Sequence, residues 1–253
     1  RKESAIDVVD SEVSSILIKS LEKSGIKFIF GKEITEISGE KVLAGSEEVA
    51  SGKVILVTTR EADLTALKDV KLEISNDNVV ANDKMQSSLK NIYVPGDVNG
   101  KNLLAHAAFK MGYIAASEIV EGKSDKYNNN VIPRAIYTYP EIGSVGLTEE
   151  EAKKSYDVKV GKFNYGANGR ALAHGDSSGM VKIISDARYG EILGAHIVGP
   201  RASELINEVS VLMQSEVIVE EAIKMVFGHP TFSEAIYEAI ADVEGVSVHL
   251  PKK

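Results

Sequence analysis

The chain has 253 residues, with 37 acidic and 29 basic side chains, a net charge of −8 and no cysteine. That length, with 43% apolar residues, supports a full hydrophobic core and one large or two small domains. The acidic balance, sparse aromatics and absent tryptophan argue against a nucleic-acid partner, whose phosphates reward a basic face. No apolar run approaches the roughly 20 residues of a membrane span. The lack of cysteine excludes disulfides, thiolate catalysis and thiolate-bound zinc within the chain, and points to a reducing, cytoplasmic setting. The first residue is Arg1 rather than Met, which implies a processed product or a cut piece.

Asp10 and Ser11 can cap a helix whose Val13, Ile16, Leu17 and Leu21 recur at helical spacing, with Gly25 as its stop. Ile26–Phe30 reads as a short strand, the helix-then-strand grammar of an α/β layer. Glu33–Ile37, Glu40–Leu43 and Lys53–Val57 read as an antiparallel meander. After a polar stretch, Asn91–Val94 reads as a strand ending at Pro95-Gly96-Asp97, ahead of an Ala-rich helix from Leu103 to Val120. The Ser-, Lys- and Asn-rich run from Gly122 to Asn130 reads as a linker.

Beyond it the grammar changes. Strands are predicted at Arg134–Tyr139, Ile142–Leu147, Val158–Asn164, Met180–Ser185 and Ile192–Val198, with a Thr148-x-x-Glu151 capping box between the second and third. Helices follow at Ala202–Gln214, Val219–Val226 and Phe232–Asp242. Strands first and helices later describe an α+β domain, an antiparallel sheet with helices on one face.

Two places could carry chemistry. Gly96-Asp97 lies at the carboxyl end of a strand, where open α/β sheets bind ligands, and its carboxylate can accept bonds from hydroxyls. The following helix would aim its unpaired N–H groups at an electron-rich ligand. Gly-Asp is equally an ordinary turn dipeptide. In His229-Pro230-Thr231-Phe232-Ser233-Glu234, a carboxylate within reach of an imidazole would orient it for proton transfer. Thr231-x-x-Glu234 is also a plain capping-box pattern. His106 falls in the first turn of the Ala-rich helix; His174 reads as a loop residue, His196 as core, and His249 stands near the end. No pair has metal-ligand spacing, so no metal is predicted.

Taken in order, these segments resemble the C-terminal half of the FAD-dependent pyridine nucleotide–disulfide oxidoreductases. Asn91-Ile-Tyr-Val-Pro-Gly-Asp97, with Leu104-Ala105-His106, resembles that family's second flavin motif. Ile132-Pro-Arg-Ala-Ile-Tyr-Thr-Tyr-Pro-Glu-Ile-Gly-Ser-Val-Gly-Leu-Thr148 resembles the entry to its dimerisation domain, and His229-Pro-Thr-Phe-Ser-Glu234 its His–Glu dyad. Asp10-Ser-Glu-Val-Ser and Leu21-Glu-Lys-Ser-Gly-Ile-Lys-Phe28 are similar to the middle of its nicotinamide domain. The dihydrolipoyl dehydrogenase branch fits best, through the His-Pro-Thr-x-Ser-Glu form and the Val248-His249 close; a glutathione-reductase-like disulfide reductase and a non-catalytic dimerisation module of the same fold are the alternatives.

The resemblance implies an α/β remnant of nucleotide-binding domains followed by an α+β dimerisation domain. Its divisions would be a partial nicotinamide-binding domain over 1–60, a flavin-contacting segment over 61–128 and a dimerisation domain over 129–253. By motif position, His229 would be the base for a dithiol and Glu234 its orienting carboxylate, serving the flavin of the other subunit of a homodimer. Gly96 and Asp97 would meet the flavin's sugar and phosphate groups, and Leu104, Ala105 and His106 its ring. Thr59, in Thr58-Thr59-Arg60, stands where the family usually has glycine, and its Cβ crowds that nicotinamide contact. FAD and NAD are the implied cofactors, with NADP left open, and a lipoyl domain of a 2-oxoacid dehydrogenase complex is the implied partner. The family's redox cysteine pair and both dinucleotide fingerprints are not in this chain.

Overall fold

A computed structural model describes residue 6, residues 8–58 and residues 60–251. In chain order the elements are α1 (Ser11–Lys23), β1 (Glu36–Ser38), β2 (Lys41–Ala44), β3 (Glu47–Ser51), β4 (Ile74–Ser75), β5 (Asn78–Val79), α2 (Ala105–Glu121), β6 (Arg134–Ile136), β7 (Glu141–Gly146), α3 (Glu149–Ala152), β8 (Val158–Asn164), α4 (Gly169–His174), β9 (Met180–Asp186), β10 (Ile192–Gly199), α5 (Ala202–Gln214), α6 (Val219–Ile223) and α7 (Glu234–Val243). Two compact units result, one of residues 1–54 with 133–253 and the other of residues 55–132. Among the described residues no helix is long and apolar enough to cross a membrane.

The first unit is built on a five-stranded antiparallel sheet in the order β6-β7-β10-β9-β8. Side chains alternate across it. Val145, Phe163, Val181, Ile183, Ala195 and Ile197 share one core with α5, α6 and α7. These helices approach closely because small residues face them: a Cβ at Gly161 would strike the Ala239 carbonyl of α7, and one at Gly143 the Ala202 carbonyl of α5. The opposite face is also used. Val9, Val13 and Leu17 pack on Ile142, Met180 and Val198, so α1 lies against the sheet. Its start is as expected, Asp10 accepting from the Glu12 N–H.

That second face holds a buried ionic knot. Lys182 of β9, whose side chain is 3% exposed, reaches Asp10 Oδ1 at 2.8 Å, Glu149 Oε2 at 2.7 Å and Glu12 Oε2 at 3.1 Å. Burial alone would raise the Asp10 carboxyl; the Lys182 ammonium and the Glu149 N–H outweigh it and hold it below the ordinary range. His196, expected as core, is buried beside this knot. Its Nδ1 accepts the Asp10 N–H at 3.2 Å and its Nε2 faces the Leu147 carbonyl at 3.0 Å, the arrangement of a neutral ring, whose pKa burial lowers.

Three strand expectations are corrected. Ile26–Phe30 forms no strand among the described residues, because an apolar run without a neighbouring backbone has no ladder to join. The meander exists as β1-β2-β3, but its third strand is Glu47–Ser51 rather than Lys53–Val57. The turn at Gly45 brings Glu47 back sooner, and Val57 is left 88% exposed. Asn91–Val94 contributes one bridge, Tyr93 to Gln86, together with a bond from the Val94 N–H to Met85.

In the second unit, α2 buries Ala107, Met111, Ile114 and Ala115 against Met85 and Tyr127. The linker expected from Gly122 to Asn130 therefore carries a core side chain, Tyr127.

Candidate functional site

The chain leaves α6 and runs through Gly228–Ser233 into α7. No side chain of the N-cap residue Ser233 caps that helix. Instead Glu234, in its first turn, folds back with both oxygens engaged: Oε2 accepts the Thr231 N–H at 2.7 Å, and Oε1 lies 2.7 Å from His229 Nδ1. The capping-box reading is half realised, since the Thr231 hydroxyl donates to the Gly228 carbonyl instead. Burial works against the Glu234 charge, but the Thr231 N–H and the His229 ring outweigh it and keep the carboxyl below its usual range. An anionic Oε1 requires the Nδ1 proton on the imidazole, leaving the Nε2 lone pair of a neutral ring available. His229 is 76% exposed at its side chain, so that nitrogen is accessible.

In the second unit, Gly96 adopts φ +87°, a backbone that L side chains resist, and its N–H meets the Met111 sulfur at 3.3 Å. Asn99 Nδ2 donates to the Val94 carbonyl at 2.7 Å, pinning the turn from below. Asp97 opens that turn with its carboxylate outward, 3.8 Å from the Arg60 guanidinium, which also donates to the Leu103 carbonyl at 3.3 Å. The N-cap of α2, Leu104, supplies no capping side chain, and the positive helix end stands at exposed Ala105 and His106. The loop and helix start expected from the sequence are thus next to each other. Thr59 lies outside the described residues.

Profiles of one family match both parts of the chain: the pyridine nucleotide-disulphide oxidoreductases over residues 1–112, and their dimerisation domain over residues 132–240. The chain belongs to the pyridine nucleotide–disulphide oxidoreductases. Curated relatives include dihydrolipoyl dehydrogenase from Bacillus subtilis, 33% identical over 96% of this chain and 55% of that protein, and from Mycobacterium leprae, 36% identical over 93% and 53%. The chain therefore spans about half the length of the curated relatives it matches. Among solved structures, LpdA from Mycobacterium tuberculosis superposes with a TM-score of 0.87 at 21% identity, covering 96% of this chain and 55% of that one. The HOCl-induced flavoprotein disulfide reductase RclA from Escherichia coli gives 0.85 at 21%, covering 95% and 57%. At such identities the superpositions speak to fold alone.

This member of the oxidoreductase family carries a second imidazole–carboxylate pair that the sequence reading did not find. Glu238, one turn after Glu234, is buried and accepts from the Ser247 hydroxyl, the Val248 N–H at 3.0 Å and the His249 N–H at 3.1 Å. His249 Nδ1 lies 2.7 Å from its other oxygen. These donors outweigh the burial that opposes the charge, so the carboxyl sits below its ordinary range. The arrangement ties residues 247–249 to α7. Glu238→Ala is expected to cost about 2 kcal/mol in urea unfolding, since several part-buried hydrogen bonds lose their shared acceptor, and to speed amide exchange at Val248 and His249. Unchanged exchange there would contradict the tie. Arg60 was also missed; the only signal was its place after Thr58-Thr59.

Proposed function

We propose that this chain is the C-terminal part of a dihydrolipoyl dehydrogenase, which oxidises dihydrolipoyl dithiols with NAD through FAD and a redox disulfide. The observation that carries the reading is the His229–Glu234 pair, its Nδ1 held at 2.7 Å and its Nε2 open. A thiol becomes a nucleophile only as thiolate, and its ordinary pKa near 8.5 leaves it mostly protonated at neutral pH. His229 Nε2 takes that proton; Glu234 fixes the ring and stabilises the imidazolium that forms. His229 is thus the catalytic base and Glu234 its positioning residue. The names of the curated relatives, at 33–36% identity, support this substrate class.

The residues of the second unit fit a flavin. Glycine backbone at Gly96, an outward carboxylate at Asp97 and the positive first turn of α2 at Leu104–His106 are the set for a hydroxyl-rich chain ending in an electron-rich ring. FAD supplies the sink for the electron pair leaving the thiols. The positive end of α2 favours negative charge at Ala105. With no cysteine, the chain itself has no relay between thiol and flavin, so it is expected to be inactive alone. The homodimer implied by the dimerisation profile would place each His229 at the partner's flavin, and a lipoyl domain would deliver the substrate.

The full-length protein is expected to oxidise dihydrolipoamide with NAD and to run as a dimer in light scattering. A preference for reducing glutathione disulfide with NADPH, or an active monomer, would overturn the assignment.

A further inference from the structure

The Glu234 carboxylate can orient His229 only while Thr231, to which its other oxygen is bonded, stays in place. Inside the loop the Thr231 hydroxyl is tied to the Gly228 carbonyl; its backbone carbonyl is held from outside. Asn168, 3% exposed and 63 residues away in sequence, donates from Nδ2 to the Thr231 carbonyl at 3.1 Å. Its Oδ1 accepts the Ala171 N–H at 2.9 Å and so caps α4. Flipping the amide would set acceptor against acceptor at one end and donor against donor at the other, so this orientation is fixed. The peptide groups on either side of Thr231 are therefore both held, the preceding one by Glu234 Oε2 and the following one by Asn168.

The same segment grips the next residue. The Phe232 ring packs edge-on against Tyr165, just before α4, at 6.3 Å between centroids, and against His174, the last residue of α4, at 5.7 Å. On the other side Ser233 Oγ donates to Glu208 of α5 at 2.6 Å. We propose that Asn168 is a positioning residue for the His229–Glu234 pair, acting through the Thr231 carbonyl. The proposal deepens the dithiol-oxidation reading and rests on it for its functional meaning. A displaced Thr231 carries Oε2 with it and turns Oε1 away from Nδ1. The imidazole then loses its tautomer lock while remaining in the protein.

The test reads the imidazole nitrogens of His229 by nitrogen-15 NMR on the 253-residue chain, above the pH at which the ring is charged. The wild type is expected to hold the proton on Nδ1. Asn168→Ser and Asn168→Asp both keep an acceptor for α4 but lose the bond to Thr231, serine because its short hydroxyl cannot span both partners and aspartate because a carboxylate cannot donate; in each, the ratio of Nδ1–H to Nε2–H should fall at least threefold. His249, locked by Glu238, should be unchanged and serves as an internal reference. Gly175→Ala strains the end of α4, where φ is +75°, without touching Thr231. It should leave the His229 ratio unmoved.

A wild-type ratio in whichever Asn168 variants fold, or an equal shift in Gly175→Ala, overturns the proposal. No substrate enters this measurement. A dyad that shifts as described in a protein that does not oxidise dithiols would overturn the functional reading and leave the positioning role standing.

Discussion

Replacing His229 with glutamine in the full-length protein is expected to lower the rate of dithiol oxidation by about 10²- to 10⁴-fold, the usual contribution of a positioned base. The side chain is three-quarters exposed and holds nothing in the core, so the variant should unfold with the wild type. Substrate KM should change little, because in the proposed reaction the ring would meet the reacting thiol and not the rest of the substrate. Glu234→Gln is expected to cost less. It keeps an acceptor for the Thr231 N–H but removes the charge that stabilises the imidazolium. The Glu234 carboxyl is depressed in the fold, so its support is present above the ordinary carboxylate value of about 4.3 and is lost only as pH falls below it. The Glu234 charge that the variant removes is therefore fully present in the wild type across the neutral range. Stopped-flow reduction of the enzyme by dihydrolipoamide checks both variants. A loss below threefold in His229→Gln would remove this residue from the chemistry.

Much of the first unit could be read from the sequence because its elements state their own period. Strand Val158–Asn164 and helix Ala202–Gln214 have the bounds their patterns predict, and the Thr148–Glu151 box closes with both of its bonds. Apolar runs misled where nothing opposed them: Ile26–Phe30 and Lys53–Val57 have strand composition, but a ladder needs a second backbone that composition cannot supply. The helix Gly169–His174 escaped notice because it begins with glycine in Gly- and Ser-rich surroundings. Its cap is an asparagine whose other end is spent on a distant loop. His229 and Glu234 were legible, being five residues apart in a motif. Glu238 and His249, eleven apart across a chain end, were not, nor was Lys182, whose partner Asp10 lies 172 residues away. The visible signal for Lys182 was a cation in the middle of the apolar strand Met180–Asp186, on the face it shares with His196.

Lys182→Met should destabilise the chain at pH 7 by about 3 kcal/mol, the cost of leaving a buried carboxylate without its cation. Most of that falls on Asp10, which is as buried as the lysine. Glu12 is 40% exposed and keeps both water and Lys162, so its share is small. Methionine fills a similar volume, which separates the charge effect from a cavity. The pH dependence identifies the cause. In the wild type Asp10, Glu12 and Glu149 are held below their ordinary values, so the stabilisation is complete above about pH 4.5 and declines as pH falls through their folded values. Lys182 is raised, so its own contribution is full below about pH 10.4 and is lost only above that, as pH climbs through its folded value. Without the lysine, burial makes the Asp10 carboxyl harder to ionise, and the variant gains relative stability as acid protonates it. The gap between the two proteins in urea unfolding should therefore narrow steadily from pH 7 towards pH 4. Adding Asp10→Asn should recover part of the loss, because the orphaned charge is gone; the recovery is partial because Glu12 and Glu149 donate to different oxygens of Asp10 and the amide keeps an acceptor for only one of them. A gap of equal size at both pH values would mean that Lys182 acts by packing, and that α1 is held to the sheet by its apolar contacts, Val13 and Leu17 foremost.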